Sequence, residues 1–163
     1  MTIRKTTLSD LTQVMAIYTG AQARMEAAGN PQWPRGWPSE ERVHADIDAG
    51  ESYVMEDGGD MVAVFMLQLG DEPTYAVIED GAWLDDEPYG TLHRIASNGT
   101  ARGVLQAALE YCESVSPNMR VDTHETNLPM QHALEKLGYV RCGIVHMADG
   151  SPRIAYQKQK ADS

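Results

Sequence analysis

The stretch DTHETNLPMQHALEKLGY, residues 122–139, contains the end of one strand, a short helix and the start of the next strand. Asn127 precedes the helix, and its side chain can accept one of the first backbone amides, which is a common structural role for asparagine. Apolar residues at helical spacing predict a helix over residues 128–137, and Gly138 suits the left-handed position beyond its end. The inward-facing residues of this helix are predicted to be Met130, Ala133, Leu134 and Leu137.

A strand, a glycine-containing turn and another helix lie before this stretch. Residues 92–96 (LHRIA) predict a buried strand, residues 97–103 (SNGTARG) a turn, and an apolar stripe from Val104 to Cys112 a helix. Backbone amides that open a helix after a glycine turn can hold a phosphate group. The turn has neither the GK[ST] ending of a Walker loop nor a GxGxxG pattern, so a tight structural connection explains it equally well.

The remaining segments supply more strands than helices. Two further helices are predicted with Ser9 and Ser39 as N-caps, ending near Gly29 and Gly50. The hairpin signals DGGD and Asp149-Gly150 each join two apolar runs. Strands are predicted at residues 3–5, 52–56, 61–69, 119–123, 139–145 and 153–157, with a further short strand at 75–79.

Helices separate only some of these strands, which indicates a mixed sheet covered by helices rather than a doubly wound parallel sheet. The predicted fold class is α/β (mixed α+β). We expect residues 1–163 to form a single domain whose central, mostly antiparallel sheet of six to seven strands is flanked by about four helices.

The composition excludes several classes of protein. The chain has 163 residues, 42% of them hydrophobic and 23% charged, as in an ordinary globular domain. Its net charge of −11 disfavours nucleic acids and anionic membranes as partners, because both require a basic surface. The N-terminal residues lack the apolar core of a signal peptide, and no apolar run is long enough to cross a membrane. Cys112 and Cys142 lack zinc-binding spacing, so we expect a cytoplasmic protein without a metal or a disulfide.

Three motifs together resemble the GCN5-related N-acetyltransferase (GNAT) family. His93-Arg94-Ile95-Ala96 is similar to a family strand, Thr100-Ala101-Arg102-Gly103 to the arginine- and glycine-containing loop after it, and residues 127–139 to a later helix and strand. EKLGY, residues 135–139, is the most specific of these matches. The order of elements agrees over nearly the whole chain, and residues 37–54 also resemble one bacterial branch of the family.

The resemblance implies transfer of an acetyl group from acetyl-CoA to a primary amine of a small molecule or peptide, by direct attack in a ternary complex and without a metal. It implies that backbone amides of the turn, the helix dipole and Arg102 hold the diphosphate. The preceding strand would pair with the pantetheine arm and stabilise the developing oxyanion, and Asn127 would contact the same arm. The residues expected to bind acetyl-CoA are Ile95, Ala96, Ser97, Asn98, Gly99, Thr100, Ala101, Arg102, Gly103, Val104 and Asn127.

The sequence also departs from the family pattern. The turn at residues 97–103 is shorter than the family's usual loop, and Leu105 stands where the family usually has glycine or alanine. Leu134 occupies the place of the tyrosine that often protonates the leaving thiolate. A non-catalytic acyl-CoA-binding or sensor domain of the same fold is therefore the alternative function. A nucleotide-binding interaction domain that uses the same glycine turn is a third class.

The reaction needs a base or a water relay, because an amine is mostly protonated at neutral pH. His93 is the first candidate, since an imidazole titrates close to neutral pH, although a buried strand also places histidines for structural reasons. Glu79, Asp122 and His124 are the other candidate catalytic residues, and Asp122 and His124 share a face if their strand is regular. Solvent-facing polar residues at a strand end would explain that pair equally well.

The acceptor side of the molecule is assigned from aromatic residues and charge. Trp33 and Trp37 lie in a proline-rich loop, where they either plug the core or line an acceptor pocket, and we assign them with Tyr89 to substrate binding. Residues 1–96, the expected acceptor-side half, carry six basic and 17 acidic residues, whereas residues 97–163, the CoA-side half, carry seven of each. We therefore hypothesise that the acceptor is a cationic amine. The protein is expected to be a monomer or a homodimer.

Overall fold

A computed structural model describes residues 1–29 and 33–159 of the chain. This part contains seven strands: β1 (Thr2–Lys5), β2 (Ser52–Asp57), β3 (Asp60–Leu69), β4 (Gly90–Ser97), β5 (Met119–Thr123), β6 (Val140–His146) and β7 (Pro152–Lys158). It also contains four α-helices: α1 (Leu11–Ala27), α2 (Glu40–Asp48), α3 (Val104–Val115) and α4 (Leu128–Lys136). Short 3-10 turns lie at Leu8–Asp10 and Pro73–Tyr75.

The strands form one mixed sheet in the order β1-β2-β3-β4-β5-β7-β6. The pairs β1–β2, β2–β3, β5–β7 and β6–β7 are antiparallel. β4 and β5 run parallel and pair at Gly90–Met119 and Thr91–Arg120. A parallel pair requires a crossover connection, which α3 supplies. The predicted fold class, a mixed and mostly antiparallel sheet flanked by helices, is therefore confirmed.

The described residues divide into two compact units. The first unit combines the described residues of Met1–Leu67 with His93–Ala108, and the second combines Gln68–Leu92 with the chain from Leu109 onward. The core of the first unit contains Val14, Ile17, Tyr18, Ala21, Trp33, Val43, Val54, Val64 and Ala96. A core cluster of the second unit contains Tyr75, Tyr89, Val145 and Ala155.

The two helix starts that the sequence predicts have different outcomes. The Ser39 hydroxyl accepts the Arg42 amide at 3.1 Å, so the predicted cap of α2 is confirmed. The prediction of Ser9 as the cap of α1 is wrong, because the chain first forms a 3-10 turn and the Asp10 carboxylate accepts the Thr7 amide at 2.8 Å. Arg4 of β1 donates two hydrogen bonds to this carboxylate, at 2.8 and 3.0 Å. A contact with a neighbouring element thus fixes where the helix starts.

The short strand predicted at residues 75–79 is also wrong. Residues Pro73–Tyr75 form a 3-10 turn, and only Glu79 of that segment pairs with a strand, through two backbone hydrogen bonds of 2.8 Å with Ile144. Two glycines permit this close approach. A Cβ at Gly81 would lie 1.8 Å from the Cys142 carbonyl oxygen, and one at Gly143 would lie 2.4 Å from the Glu79 carbonyl oxygen.

Alanine at Gly81 is expected to destabilise the protein by about 2–4 kcal/mol, because the backbone must move to admit the new Cβ. Gly20 provides a matched control in the interior of α1, where the nearest atom to a new Cβ is the Arg24 side chain at 3.5 Å. Gly20→Ala is expected to stabilise the protein by about 1 kcal/mol through helix propensity. Urea unfolding of both variants measures the difference. Equal stabilities would contradict the close packing of Gly81 on the Cys142 backbone.

The Arg4–Asp10 pair is expected to make stability depend on pH in acid. Hydrogen bonds from Arg4 are the main cause that lowers the pKa of Asp10 from 3.8 to about 2. The unfolded chain therefore binds this proton at a higher pH, so the stabilisation is complete above about pH 4 and is lost as the pH falls toward 2. Asp10→Asn should lower the free energy of unfolding by about 1 kcal/mol at neutral pH, and this difference from wild type should shrink below about pH 4.

Urea unfolding of wild type and Asp10→Asn over a series of acidic and neutral buffers measures this dependence. Asp71→Asn, at an exposed position, is the control for loss of a carboxylate. A cost for Asp10→Asn that stays constant across the acid range would contradict the assigned pairing.

Candidate functional site

The turn between β4 and α3 has a backbone shape that depends on glycine. Gly99 and Gly103 have φ angles of 81° and 71°, in the left-handed region that side chains disfavour. A Cβ built on either residue meets no protein atom within 4 Å. The protein therefore needs these glycines for backbone conformation and leaves open space beside them.

The amide groups of this turn have different partners. The Asn98 amide donates to the Val62 carbonyl at 2.9 Å, and the Asn98 side-chain oxygen accepts the Thr100 amide at 3.0 Å. The Gly103 carbonyl accepts the Ala107 amide at 3.0 Å, so the hydrogen-bond ladder of α3 starts at Gly103. The first amides of a helix have no acceptor within the helix and carry the positive end of its dipole. With the exposed Arg102, this end of α3 can attract an anion.

Strand β4 contains a backbone conformation that no local sequence pattern predicts. Arg94 has a φ of 48°, although it is not glycine and lies inside a strand. Such a conformation costs about 1–2 kcal/mol for a residue with a Cβ. The Arg94 carbonyl accepts the Tyr18 hydroxyl at 2.8 Å, and its guanidinium donates to both carboxylate oxygens of Asp46 at 2.8 and 3.0 Å. Contacts with α1 and α2 therefore hold this residue in place.

The predicted residues of β4 lie on both sides of Arg94, within the first unit. His93 and Ile95 are half-buried, and Ala96 is buried. The Ser97 carbonyl accepts a hydrogen bond from the Arg24 guanidinium. His93 thus lies next to the strained residue, on the side opposite Ile95 and Ala96, the stretch that the resemblance assigns to the thioester.

The other candidate catalytic residues lie in the second unit. An Asp122 carboxylate oxygen accepts the Tyr75 hydroxyl at 2.6 Å, and Tyr75 is almost fully buried. Burial, and secondarily the charge of Asp122, raise the pKa of Tyr75 well above its usual value, so this hydroxyl keeps its proton. His124 Nδ1 lies 2.7 Å from the Thr126 hydroxyl, and Glu79 is exposed. The sequence pattern does not identify Tyr75 as a site residue, because it predicts a strand at that position.

Asn127 has the capping role that the sequence allows. Its side-chain oxygen accepts the Met130 amide at 3.3 Å at the start of α4. Leu134, on the same helix, is fully buried. The position at which the resemblance expects a tyrosine acid therefore belongs to the packed interior of the second unit.

The three aromatic residues assigned to substrate binding differ in exposure. Trp33 is buried and contacts Tyr18 edge-on, with 5.7 Å between ring centroids. Tyr89 is also buried, and its hydroxyl accepts the Glu72 amide at 2.8 Å. Trp37 is 38% exposed. Of the three, Trp37 offers the largest fraction of its surface to a ligand.

The Tyr89 ring also covers a buried arginine. The Arg120 guanidinium lies 3.9 Å from the Tyr89 ring centroid and 4.1 Å from that of Trp83. It donates to the Asp85 carbonyl at 2.8 Å. The Asp85 side chain in turn accepts hydrogen bonds from Asn118 and Gln157. These contacts fix the segment between β3 and β4 within the second unit.

Three further properties of the described chain bear on its chemistry. Cys112 and Cys142 are buried free thiols. Residues 1–29 and 33–159 contain no group of three or more histidine, cysteine or acidic side chains that could hold a metal. No helix in these ranges has the length and apolar character needed to span a bilayer.

Comparison with known proteins places the chain in a family. The family model described as acetyltransferase (GNAT) family matches residues 16–139. A GNAT-family acetyltransferase structure from Streptococcus agalactiae is 36% identical, with a TM-score of 0.91 over 99% of this chain and 96% of the other. No curated protein matches the chain.

Two more distant structures share the fold alone. A GNAT-family acetyltransferase from Listeria monocytogenes is 17% identical, with a TM-score of 0.74 over 96% of this chain and 93% of the other. The ribosomal-protein-S18-alanine N-acetyltransferase from Escherichia coli is 18% identical, with a TM-score of 0.66 over 99% and 95%. The family match spans both β4 and the turn after it, and the streptococcal structure is similar over nearly the whole chain. The chain therefore belongs to the GNAT family of acetyltransferases.

Proposed function

We propose that this protein transfers an acetyl group from acetyl-CoA to a primary amine of a small molecule or peptide, by direct attack in a ternary complex. The observation that carries the proposal is the left-handed glycine turn that opens α3, inside the segment matched by the family model. Its open face and the adjacent helix amides suit a diphosphate, because both the dipole and free N–H groups favour an anion. No step of the proposed reaction requires a metal.

The diphosphate is assigned to backbone amides of the turn and of the first residue of α3. Asn98 and Thr100 shape the turn, since their amides donate to Val62 and to Asn98 itself. The groups proposed to bind the diphosphate are the amides of Gly99, Ala101, Arg102, Gly103 and Val104, with the Arg102 guanidinium. Ser97 and Asn127 are proposed to contact the pantetheine arm.

The backbone of Ile95 and Ala96 is proposed to lie along the thioester. The established pairs of β4 with β5, Gly90–Met119 and Thr91–Arg120, both come before this stretch of the strand. A backbone N–H aimed at the carbonyl oxygen would stabilise the negative charge that develops when the amine attacks.

His93 is proposed as the general base that receives the proton of the attacking amine. Its position in β4, two residues before Ile95, favours it over the other candidates. Asp122 and His124 lie in the second unit, where they contact Tyr75 and Thr126. Glu79, Asp122 and His124 remain the alternative bases. A candidate that does not contact the amine directly would receive its proton through a water molecule.

The buried leucine at position 134 favours a second candidate function, an acyl-CoA-binding domain of the same fold without turnover. With no tyrosine at that place, water or another side chain has to protonate the departing thiolate. The acceptor is proposed to be cationic, because residues 1–96 hold 17 acidic and six basic side chains. Residues 1–96 are the proposed acceptor-side half and residues 97–163 the proposed CoA-side half. The protein is proposed to be a monomer or a homodimer.

A screen of chemically diverse amines with acetyl-CoA, read by release of free thiol, tests the proposed function. Acetyl transfer is expected for at least one amine, with cationic amines preferred and with turnover that falls as salt rises. Arg102→Ala should weaken CoA binding about 3–10-fold, the range expected for loss of one charge-assisted phosphate contact. Arg35→Ala removes another exposed arginine, which pairs with Glu26, and should leave binding unchanged.

Each other class of function gives a different result in the same experiment. Tight CoA binding without thiol release for any amine would favour the sensor domain. Protection against thermal unfolding by ATP or GTP, and none by CoA, would favour the nucleotide-binding domain. Equal effects of the two arginine variants would contradict the assigned diphosphate site.

His93→Ala is expected to lower kcat/KM by about 100-fold or more, because general-base catalysis contributes on that scale. The pH–rate profile of the variant should also lose the ionisation of the base. Asp122→Asn, His124→Ala and Glu79→Gln are the parallel variants. An unchanged pH–rate profile in His93→Ala, with a large loss in one of the others, would move the base to that residue.

A further inference from the structure

The strained residue of β4 is held by side chains from two helices. Arg94 has a left-handed φ of 48° in the middle of β4, a conformation that persists in proteins only where the surroundings enforce it. Three hydrogen bonds surround it: two from its guanidinium to Asp46 of α2, and one from the Tyr18 hydroxyl of α1 to its own carbonyl. All of these residues belong to the first unit.

The partners of Arg94 are themselves rigidly placed. Asp46 is 1% exposed, and its Oδ1 also lies 3.2 Å from Nη2 of Arg42. Its carboxylate therefore has two guanidinium partners. Tyr18 is 2% exposed and packs against Trp33. Burial raises the pKa of Tyr18, so its hydroxyl stays protonated and acts as the donor. A planar guanidinium bound to both carboxylate oxygens fixes direction as well as distance.

The bend lies immediately before the stretch of β4 that is assigned to the thioester. Ile95 and Ala96 come directly after Arg94, and the proposed function gives their backbone the pairing with pantetheine and the stabilisation of the oxyanion. A left-handed residue reorients the peptide groups next to it relative to a regular strand. Relaxation of Arg94 to an ordinary extended conformation would therefore redirect those groups.

We propose that the Arg94–Asp46 ion pair and the Tyr18 hydroxyl form a positioning device that holds the bend of β4, so that the backbone after Arg94 meets the thioester in the productive direction. This inference rests on the proposed acetyl transfer. Arg94, Asp46 and Tyr18 act through the backbone and do not react themselves, so they are positioning residues. Glycine at position 94 would adopt the same φ without help, whereas an arginine makes the bend depend on α2.

A pair of substitutions at position 94 separates the bend from the ion pair. Arg94→Ala removes the ion pair and keeps the steric penalty of a left-handed residue, so the bend should relax. Arg94→Gly removes the same ion pair together with the penalty, so the bend should remain. Asp46 keeps its contact with Arg42 in both variants, which limits the charge left unpaired.

The measurements are kcat at saturating acetyl-CoA, the Kd for CoA, and thermal stability. In Arg94→Ala we expect kcat to fall about tenfold, with a change in Kd below about threefold, since the diphosphate turn is untouched. In Arg94→Gly we expect a smaller loss of kcat, no more than half of the loss in Arg94→Ala on a logarithmic scale. Both variants should lose thermal stability because both lose the pair, and Arg94→Ala should lose more because it keeps the steric penalty of a left-handed side chain.

Asp46→Asn provides a second route that does not alter the backbone of β4. It should lower kcat in the wild-type background and have little further effect in the Arg94→Gly background, where the bend no longer depends on the pair. Additive losses in the double variant would overturn the proposal. Equal kcat values in Arg94→Ala and Arg94→Gly would overturn it as well.

A readout without turnover keeps this inference distinct from the proposed function. The backbone amide resonances of Ile95 and Ala96 should move strongly in Arg94→Ala and weakly in Arg94→Gly. A wild type that binds CoA and acetylates no amine would overturn the acetyl transfer and with it the catalytic use of the bend. Amide resonances that move equally in the two variants would overturn the positioning device itself, whatever the enzyme does.

Discussion

The parallel pairing of β4 with β5 is the constraint on which the proposed acetyl-CoA site of this molecule depends. Parallel neighbours cannot be joined by a tight hairpin, so the chain has to cross over through α3. The N-terminus of α3 then comes directly after the C-terminal end of β4. The glycine turn, the first amides of the helix and Arg102 are brought together by this connection. The pairs β1–β2, β2–β3, β5–β7 and β6–β7 are antiparallel and complete the sheet on both sides.

Much of this fold could be predicted from the sequence because local signals agree with the tertiary structure. The apolar spacing of residues 128–137 and the two hairpin signals each point to the element that forms. Ser39 caps its helix for the same reason, since the hydroxyl and the amide that it accepts are three residues apart.

The predictions that failed concern positions at which distant contacts decide. Asp10 replaces Ser9 at the start of the first helix because Arg4 binds its carboxylate. The bend at Arg94 depends on an aspartate 48 residues away, which no local pattern reveals. Similarly, the family resemblance indicates the turn that is proposed to bind acetyl-CoA, whereas the partners of Asp122 and His124 are seen only in the folded chain. The acceptor site stays a prediction, and of the three aromatic residues assigned to it Trp33 and Tyr89 are buried.

The two cysteines have a practical consequence for biochemical work on this protein. Both thiols are buried, and burial raises the pKa of Cys112 to about 12, so very little reactive thiolate exists near neutral pH. A chromogenic disulfide reagent added to the folded protein will therefore consume the sulfhydryl of released coenzyme far faster than that of the polypeptide. The fold itself therefore supplies a low thiol background for continuous spectrophotometric assays of the proposed acetyl transfer.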